Sequence, residues 1–377
     1  MTINMRNNRF PNVNFVDTNT ERLLNETIAK FEQYAGRTLM PADPMRLTIN
    51  WLIDLMVQER LLTDESARQN VLRFAENDKL DSLAELFRET IRLQPQAART
   101  TLRFAISATQ ASAVIIPANT RVSVDGVIIF ATTETGTVAA GEIYADIPAV
   151  CLTAGIIGNG FIAGQISQIV DLFPFFESAG NITTSAGGAD IESDDSLYER
   201  SRLSMETYST AGPVGAYEYH ARTASARIAD VKPYSPSPGV VDIRIILENG
   251  EFPDDEMKQM VLNTVSAAHV RPLTDFVSVN APDAVNFDID LTYFIPRSRE
   301  NSAAVIQAGV ENAVKEYINR QTTNMGRDIN PDELTALIWG AGAKRAEIRS
   351  PVFTVVEEYA VAVLQNINVI YGGIEDD

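Results

Sequence analysis

The stretch of sequence that decides the fold is GVVDIRIILENGEFPDDEMKQMVLNTVSAAHVRPLTDFVSVNAP, residues Gly239 to Pro282. Apolar and polar residues alternate over most of 241–246, which is the period of a β-strand. An Asn-Gly pair ends this strand, and Asp254 opens a helix that has its apolar residues on one face and ends near His269. A second strand starts at Phe276–Val279. The stretch therefore predicts a β-α-β unit, and its residues form no pattern that carries chemistry.

The connection from this helix to the second strand is Arg271-Pro272-Leu273-Thr274-Asp275. The proline restricts the backbone to a turn, and the opposite charges of Arg271 and Asp275 are able to pair across it. We expect the two residues to hold the helix-to-strand connection. The alternative is that they contact a partner protein.

The composition places the chain among ordinary globular proteins. Its 377 residues are enough for two to four domains, and 45% are hydrophobic while 21% are charged. The formal net charge is -19, which argues against a nucleic-acid surface because phosphate binding needs a basic patch. It suits a soluble protein, or one that docks on basic partners.

Targeting and membrane signals are not found. Cys151 is the single cysteine, so an intramolecular disulfide is not possible. The first residues lack the apolar segment of a signal peptide, and none is expected. The densest apolar run, Trp51 to Val57, is interrupted by Asp54 and is too short to span a membrane.

Residues 1–100 are predicted to form a helical region that bundles with partner chains. One helix spans Thr18 to Ala35, a second begins at an Asp43-Pro44 cap, and a third covers about Asp81 to Leu93. The second helix is apolar on more than one face around Trp51. Such a helix is buried on several sides, which predicts a bundle completed by another chain.

Residues 101–185 are predicted to form an all-β domain, a small sandwich or barrel, because short β-prone runs alternate with Gly, Asn and Asp. Residues 186–232 are predicted to be a linker and helical connector. The linker itself is the Gly/Ser/Thr-rich stretch Ser178 to Asp190, and the prolines of Pro233 to Pro238 predict a stiff connector further on. The two connector helices are expected at Asp194 to Met205 and Gly215 to Ala226.

The C-terminal part is predicted to contain a β-α-β domain at 233–285 and a second α+β domain at 286–377. In the second α+β domain, the pattern predicts a strand at Phe287–Phe294 and a helix at Ser302–Asn319. A short helix follows, capped by Asn330-Pro331 with Glu333 reaching back to the cap. Closing strands are predicted at Ile348–Val356 and Ala360–Ile370. The predicted fold class is multidomain α+β, with an N-terminal helical bundle region, a central all-β domain and two small C-terminal α+β domains.

The residues that usually carry chemistry are expected to be structural. His220 and His269 are the two histidines; His220 is expected on a helix among Tyr217, Tyr219 and Ala221, and His269 at the end of a helix. Cys151 lies in an apolar strand and is expected to be packed. Four glycines, Gly155, Gly158, Gly160 and Gly164, lack the Lys-Ser/Thr of a phosphate loop and are expected to mark turns.

The acidic residues are expected to be solvated. A cluster that suggests a cation loop at first sight does not fit the EF-hand spacing, and we expect a linker leading into a helix N-terminus; its members are Asp190, Glu192, Asp194, Asp195 and Glu199. Glu357-Glu358 and the tail Glu375-Asp376-Asp377 are expected to face water. The sequence predicts no catalytic, cofactor or metal site.

Six motifs follow one another along the chain: Leu80–Arg92 leading into Ala97–Phe104; Ile116-Pro117-Ala118-Asn119-Thr120 with Asp125-Gly126 and Phe130; Gly158-Asn159; Gly187–Asp195; Ala216–Ala224; and Val270–Asp275 with Val277 and Val279. In this order they resemble the baseplate J-like family of contractile phage tails and related injection machines. Asn119 stands where the family usually has Gly, and because Asn tolerates a left-handed backbone we expect the turn to survive. The resemblance is weakest over residues 1–75.

The resemblance implies a structural, non-enzymatic protein of the virion tail baseplate. Members of the family lie in baseplate wedges, two copies per wedge. Their N-terminal helices bundle with a second wedge protein, and their C-terminal domains join the wedges into a ring around the central hub that helps to trigger sheath contraction. The implied partners are further copies of the chain, the second wedge protein and other baseplate, hub and sheath-proximal proteins, assembled in the bacterial host cytoplasm without nucleic acid or membrane insertion.

Two other functions remain open from the sequence. An acidic carbohydrate-active enzyme would need a pocket with two carboxylates about 5–10 Å apart. A host-surface binding protein would hold a glycan through exposed aromatic side chains, but the 8% aromatic residues are spread evenly.

Overall fold

The computed structural model describes residues 13–88, 90–208, 212–267 and 270–376. The chain divides into two compact units. One contains the residues up to Arg92 together with Ser193–Met205, and the other contains Leu93–Glu192 and everything from Glu206 onwards. The fold class is the predicted one: N-terminal helices, a central barrel-like sheet and two small α+β regions. The predicted domain boundaries stay a prediction.

The first unit is helical. Its helices are α1 Thr20–Ala35, α2 Pro44–Arg68, α3 Asn77–Ala84 and α4 Asp194–Leu203. Asp43 caps α2 as predicted, because its side chain accepts a hydrogen bond from the Met45 backbone N–H. α1 ends at Gly36, whose φ of 66° is the left-handed conformation of a helix C-terminus. The α1–α2 core is formed by Leu23, Ile28, Leu39, Ile49 and Ile53.

The third predicted helix, Asp81 to Leu93, is wrong in its bounds. α3 ends at Ala84, the chain turns at 85–88, and Arg92 Nε comes back to donate to Asp81 Oδ1 at 2.7 Å. α4 packs on α3, where Leu80 and Leu197 share a small core. The end of α3 is therefore set by contacts with residues far along the chain, which a local pattern does not contain.

The second unit begins with a barrel-like domain. Its strands are β1 Arg99–Ile106, β2 Val114–Ile116, β3 Arg121–Ser123, β4 Ile129–Thr132, β5 Gly136–Val138, β6 Tyr144–Cys151, β7 Gln168–Ile169 and β8 Phe176–Asn181. Six of them form one sheet in the order β7-β3-β4-β6-β1-β8, while β2 pairs with β5. The Asn181 N–H of β8 donates at 3.3 Å to the oxygen of Ile166, two residues before β7, so the two end strands of the sheet lie close together.

The linker predicted for Ser178 to Asp190 is wrong in its first part, because this segment begins within β8. The buried side chain of Asn181 explains how a polar strand is accommodated: its Nδ2 donates to the Phe161 and Ile162 carbonyls at 3.0 and 2.9 Å. β5 was also not predicted. Both strands have polar or small residues that pair with distant segments, so hydrophobic periodicity does not reveal them.

The β-α-β unit predicted from Gly239 to Pro282 is confirmed. Helices α5 Val214–Ala224 and α6 Asp255–Val265 accompany strands β9 Ile228–Ser237, β10 Val240–Leu247 and β11 Phe276–Asn280. β10 pairs with β11 in parallel, with Val241 opposite Val277. Asp254 caps α6 by accepting from the Met257 N–H. The helix ends at Val265, earlier than predicted, and His269 lies outside the described residues.

The stiff connector predicted for Pro233 to Pro238 is wrong. Ile228–Ser237 is strand β9, antiparallel to β10, with Pro233 opposite Ile243. β9 is an edge strand of the sheet β11-β10-β9, and an edge tolerates proline because the missing N–H is not needed on the open side.

The C-terminal region has a second three-stranded sheet, in the order β13-β12-β14. Its elements are β12 Asp283–Pro296, α7 Ala303–Thr322, α8 Pro331–Gly340, β13 Arg345–Ser350 and β14 Ala360–Glu375. Both helices lie where predicted. Glu333 does not serve as predicted, because its carboxylate accepts from Arg327 at 2.6 Å and from Arg320 at 3.1 Å. The strand predicted through Val356 ends at Ser350.

Candidate functional site

The turn Arg271 to Asp275 is closed by hydrogen bonds between its own residues. Arg271 Nη1 donates to the main-chain oxygen of Asp275 at 3.1 Å, and the Asp275 N–H donates to Pro272 O at 3.2 Å. The two side chains do not pair with each other. The expectation that both residues hold the helix-to-strand connection is confirmed, and the alternative of a partner contact stays a prediction.

A contact of Tyr217 with this turn was not revealed by the sequence. Tyr217 lies on α5 and its hydroxyl donates to Asp275 Oδ2 at 2.7 Å. Burial, followed by the hydrogen bond and the negative charge of Asp275, raises the pKa of Tyr217, so the hydroxyl keeps its proton and stays a donor. The turn is therefore held against α5, and Leu273 at its tip is 98% exposed.

The glycines of the barrel domain mark turns, as predicted. Gly155, Gly160 and Gly164 have φ of 118°, 84° and 86°, a region that favours glycine. A Cβ on Gly158 would lie 2.8 Å from Ala98 Cβ, so this glycine allows close packing. Asn119 has a φ of 63°, which confirms that Asn keeps the turn where a Gly was expected from the resemblance.

The Gly158-Asn159 motif ties two segments together. Asn159 Nδ2 donates to Gly188 O at 2.8 Å, and the Gly188 N–H donates back to Asn159 Oδ1 at 2.8 Å. A Cβ on Gly188 would lie 2.3 Å from Gly155 O, so only glycine fits there. The motif acts as a structural clamp at one end of the barrel.

The two acidic-cluster residues in the second unit accept backbone hydrogen bonds. Asp190 Oδ1 accepts from the Ile156 N–H at 3.0 Å, and Glu192 Oε2 accepts from the Leu93 N–H at 3.0 Å. Glu192 is buried. Both carboxylates therefore fix loops. Glu192 does not face water as predicted, whereas Asp190 is exposed as predicted.

The other three members of the cluster belong to the first unit, and all lie on α4. Asp194 accepts from Arg92 Nη2 at 2.7 Å and from the Asn77 N–H at 3.0 Å. Asp195 lies beside it in the first turn, where the helix dipole favours a negative charge. Glu199 pairs with Arg202 at 3.0 Å. Among the residues with described positions, no group of three His, Cys, Asp or Glu could hold a metal ion.

The remaining candidates have ordinary surroundings. His220 is half-buried and its ring meets the edge of Tyr219 at 5.1 Å between centroids. Cys151 is buried in the barrel core, as predicted.

Glu357 and Glu358 are exposed, as predicted. Glu375 is not simply solvated, because Arg345 Nε donates to it at 2.8 Å. Asp376 pairs with Arg297 at 2.7 Å but stays exposed, and Asp377 lies outside the described residues.

A groove of about 470 Å³ runs between the barrel domain and β10. Three carboxylates line it, Glu248, Glu251 and Asp254. The carboxylate of Glu251 pairs with Arg227 at 2.6 Å, and the carboxylate of Asp254 caps α6. Glu248 is the one carboxylate of this groove that neither caps a helix nor forms one of these ion pairs. Burial and the nearby charge of Asp190 raise the pKa of Glu248. Two free carboxylates, which glycoside hydrolysis requires, are not brought together in this groove.

The apolar surface of α2 is the most extensive candidate for an interaction. Ile49 and Ile53 face α1, but a second face of the same helix stays exposed. Trp51 is 60% exposed on it, and its other large apolar residues are Leu47, Leu52, Leu55, Met56, Leu61 and Leu62. In the part of the chain that the structure describes, no helix is long and apolar enough to cross a membrane.

The candidate residues described above have structural positions in turns, helix caps or apolar cores. Helix α2, in contrast, has a large apolar face that is exposed. A multidomain α+β chain with these properties is typical of a subunit of a larger assembly. Three family models match consecutive segments: the Baseplate J-like protein barrel domain at 101–188, the Baseplate J-like central domain at 209–281 and the Baseplate J-like protein C-terminal domain at 285–370. The chain belongs to the baseplate J-like family.

A curated relative agrees with this family. Over 167 residues, 44% of this chain, the sequence is 32% identical to baseplate protein J of Escherichia phage P2, and the match spans 54% of that protein, about half its length. Among solved structures, the 6-fold symmetrised cryo-EM structure of the anti-feeding prophage (AFP) baseplate contains a similar chain, with 90% of both chains covered, 11% identity and a TM-score of 0.44. A likeness at that score supports no conclusion by itself.

Proposed function

We propose that the chain is a structural subunit of the baseplate of a contractile tail, located in the virion tail. The observation that carries this proposal is the match of three consecutive segments to the three domains of the baseplate J-like family. The uncovered apolar face of α2 supports the proposal independently, because soluble monomers rarely leave so many large apolar residues exposed together, and such surfaces mark contacts with other proteins.

In this proposal, different parts of the chain contact different partners. The helices of the first unit bundle with a second wedge protein through the apolar face of α2. The C-terminal region joins neighbouring wedges, with two copies per wedge, into a ring around the hub that helps to trigger sheath contraction. Assembly takes place in the cytoplasm of the bacterial host.

The proposed role is non-enzymatic. Its support is that Tyr217, Asn159, Asp190 and Glu192 each have a structural hydrogen bond that explains their position. No observation favours the carbohydrate-active enzyme or the host-surface binding protein, so neither is proposed.

Co-expression with the neighbouring genes, followed by negative-stain electron microscopy, tests the proposal. We expect wedge-shaped or ring particles that contain this chain. Trp51→Lys should reduce capture of the second wedge protein at least tenfold, because it places a charge in the apolar contact. Glu256→Gln, an exposed change on α6, serves as the matched control and should leave capture unchanged. A chain that stays alone with every neighbouring product would refute the proposal.

A further inference from the structure

Three regions of the second unit differ in how they are joined. They are the barrel domain, a central region made of α5, α6 and β9–β11, and a C-terminal region made of α7, α8 and β12–β14. Each has a buried apolar core of its own. A further core, formed by Ile246, Met325 and Val361, is shared by the central and C-terminal regions. In the part of the chain that the structure describes, no such core joins the barrel domain to the central region.

The shared core is enclosed by both regions. Ile246 of β10, Val361 of β14 and Met325, which follows α7, are all buried. Beside this core, only glycine lets the two regions meet, because a Cβ on Gly250 would lie 2.7 Å from the Cβ of Thr322 at the end of α7. Closely packed side chains interlock, so a core of this kind resists sliding and rotation of the two regions against each other.

Two directional contacts cross the same joint. The Met325 N–H donates to Asp230 Oδ2 at 3.1 Å, while Arg222 Nη2 of α5 donates to Asp230 Oδ1 at 3.2 Å. One carboxylate therefore connects α5 to the C-terminal region. The rings of Tyr234 and Tyr359 stack with their centroids 4.0 Å apart. A hydrogen bond and a ring stack both depend on orientation as well as distance, so they fix the angle between the two regions.

The covalent connection between the central and C-terminal regions is short. β11 ends at Asn280 and β12 begins at Asp283, so Ala281 and Pro282 alone lie between the two strands. Arg244 Nη1 of β10 donates to the Ala281 oxygen at 2.7 Å, and Pro282 is buried with a backbone that its ring restricts. A two-residue linker of this kind leaves the regions little freedom to rotate.

The contact between the barrel domain and the central region is different. The groove of about 470 Å³ lies along this contact. Two hydrogen bonds cross it, from Gln96 Nε2 to the Ala224 oxygen and from Ser225 Oγ to Gln96 Oε1, and both are 3.5 Å long. At that length a hydrogen bond is weak. A groove and long polar contacts resist movement much less than a packed apolar core does.

The charges along this groove do not hold its two sides together. Arg227 pairs with Glu251 at 2.6 Å, and both residues belong to the central region. Burial, and after it the negative charge of Asp190 in the barrel domain, raises the pKa of Glu248 in the central region. The charges of Asp190 and Glu248 repel each other, so they oppose closure of the groove.

We propose that the central and C-terminal regions move as one rigid body, and that the contact along the groove is a hinge about which the barrel domain changes its orientation. Movement occurs where the fewest packed side chains must separate, and regions that share an apolar core move together. The chain itself permits this, since it passes from the barrel domain to α5 through α4 and not through a short linker. The inference goes beyond the proposed function, because it concerns the chain alone.

Distances between pairs of spin labels in the full chain, measured by pulsed electron paramagnetic resonance, test the proposal. The labels are attached in pairs to Thr137→Cys on β5, Gln259→Cys on α6 and Asn312→Cys on α7, all at exposed positions. Cys151 is buried, and the unchanged chain gives the background. We expect both distance distributions that involve Thr137→Cys to be at least about twofold broader than the distribution between α6 and α7. An α6–α7 distribution as broad as the other two would overturn the proposal.

Substitutions in the joint show whether the shared contacts cause the rigidity. Met325→Ala combined with Tyr359→Ala removes the side chains of the shared core and the ring stack, and should broaden the α6–α7 distance distribution. Leu334→Ala removes a side chain of similar size from the C-terminal region's own core and should leave that distribution unchanged. Thermal unfolding checks that the variants fold, and Tyr359→Ala alone is measured in case the combined variant does not. An equal effect of the joint variant and Leu334→Ala, or no broadening in the joint variant, would contradict the proposal.

Discussion

At the scale of single residues, Asp242 shows how this protein buries charge. It lies in β10 and is 6% exposed. Its carboxylate accepts from Asn280 Nδ2 at 2.7 Å, from Arg244 Nε at 2.8 Å and from Ser278 Oγ at 3.1 Å. Burial acts to raise the pKa of Asp242, but the hydrogen bonds from Asn280 and Arg244 outweigh it and hold the pKa below its usual range.

Asp242→Asn should destabilise the chain by about 1–3 kcal/mol at neutral pH, because the charged hydrogen bonds are lost. A pKa that is lower in the folded state stabilises the protein above the unfolded pKa of about 3.9, and this stability is lost as the pH falls through the folded pKa. The difference between the two proteins in urea unfolding should therefore shrink below about pH 4. A difference that stays constant from pH 7 to pH 3 would contradict this account.

Tyr217→Phe tests the contact between α5 and the turn at Asp275. The change removes a hydrogen bond to a carboxylate, and we expect a loss of about 1–2 kcal/mol in the free energy of unfolding. Tyr219→Phe, two residues along the same helix, is the matched control and should cost under about 0.5 kcal/mol. Hydrogen exchange of β11 and the turn should increase in Tyr217→Phe only. Equal effects of the two changes would show that the hydroxyl of Tyr217 does not hold the turn.

At the scale of elements, α2 has one apolar face that is buried against α1 and a second apolar face that is exposed. Ile53 is buried against α1, whereas Trp51 is exposed. Ile53→Ala should destabilise the chain by about 2–5 kcal/mol through cavity formation. Trp51→Ala should change stability by under about 1 kcal/mol and still weaken capture of the second wedge protein. A Trp51→Ala chain that unfolds much more readily would mean that this face is packed within the chain itself.

Elements also divide into those that the sequence predicts and those that it does not. Asp43 and Asn330 were correctly predicted as helix caps because capping depends on bonds within one turn. β9 was missed because its prolines suggested a connector, and only its position at a sheet edge makes them acceptable. β8 was missed because the amide of Asn181 replaces the apolar residue that a pattern would require.

At the scale of the whole molecule, the first unit is assembled from two distant parts of the chain. α4 follows the barrel domain in sequence, and yet Leu197 on α4 packs with Leu80 on α3. A fragment of residues 1–100 lacks α4 as well as any partner for α2. We expect it to be poorly ordered or to aggregate, with rescue by co-expression of the second wedge protein. A monomeric fragment that melts sharply in circular dichroism would count against the proposed bundle.

By itself the sequence determined the β-α-β unit from Gly239 to Pro282, the helix caps and the apolar residues on more than one face of α2, because each depends on a local pattern. It also determined the family, because the family is recognised from the order of the motifs. Only the tertiary structure decided that Tyr217 holds the turn at Asp275, that α4 completes the first unit, and that the central and C-terminal regions share a buried core. These features depend on which distant segments meet. Contacts of that kind are set by packing and backbone pairing of the whole chain, and a one-dimensional pattern does not contain them.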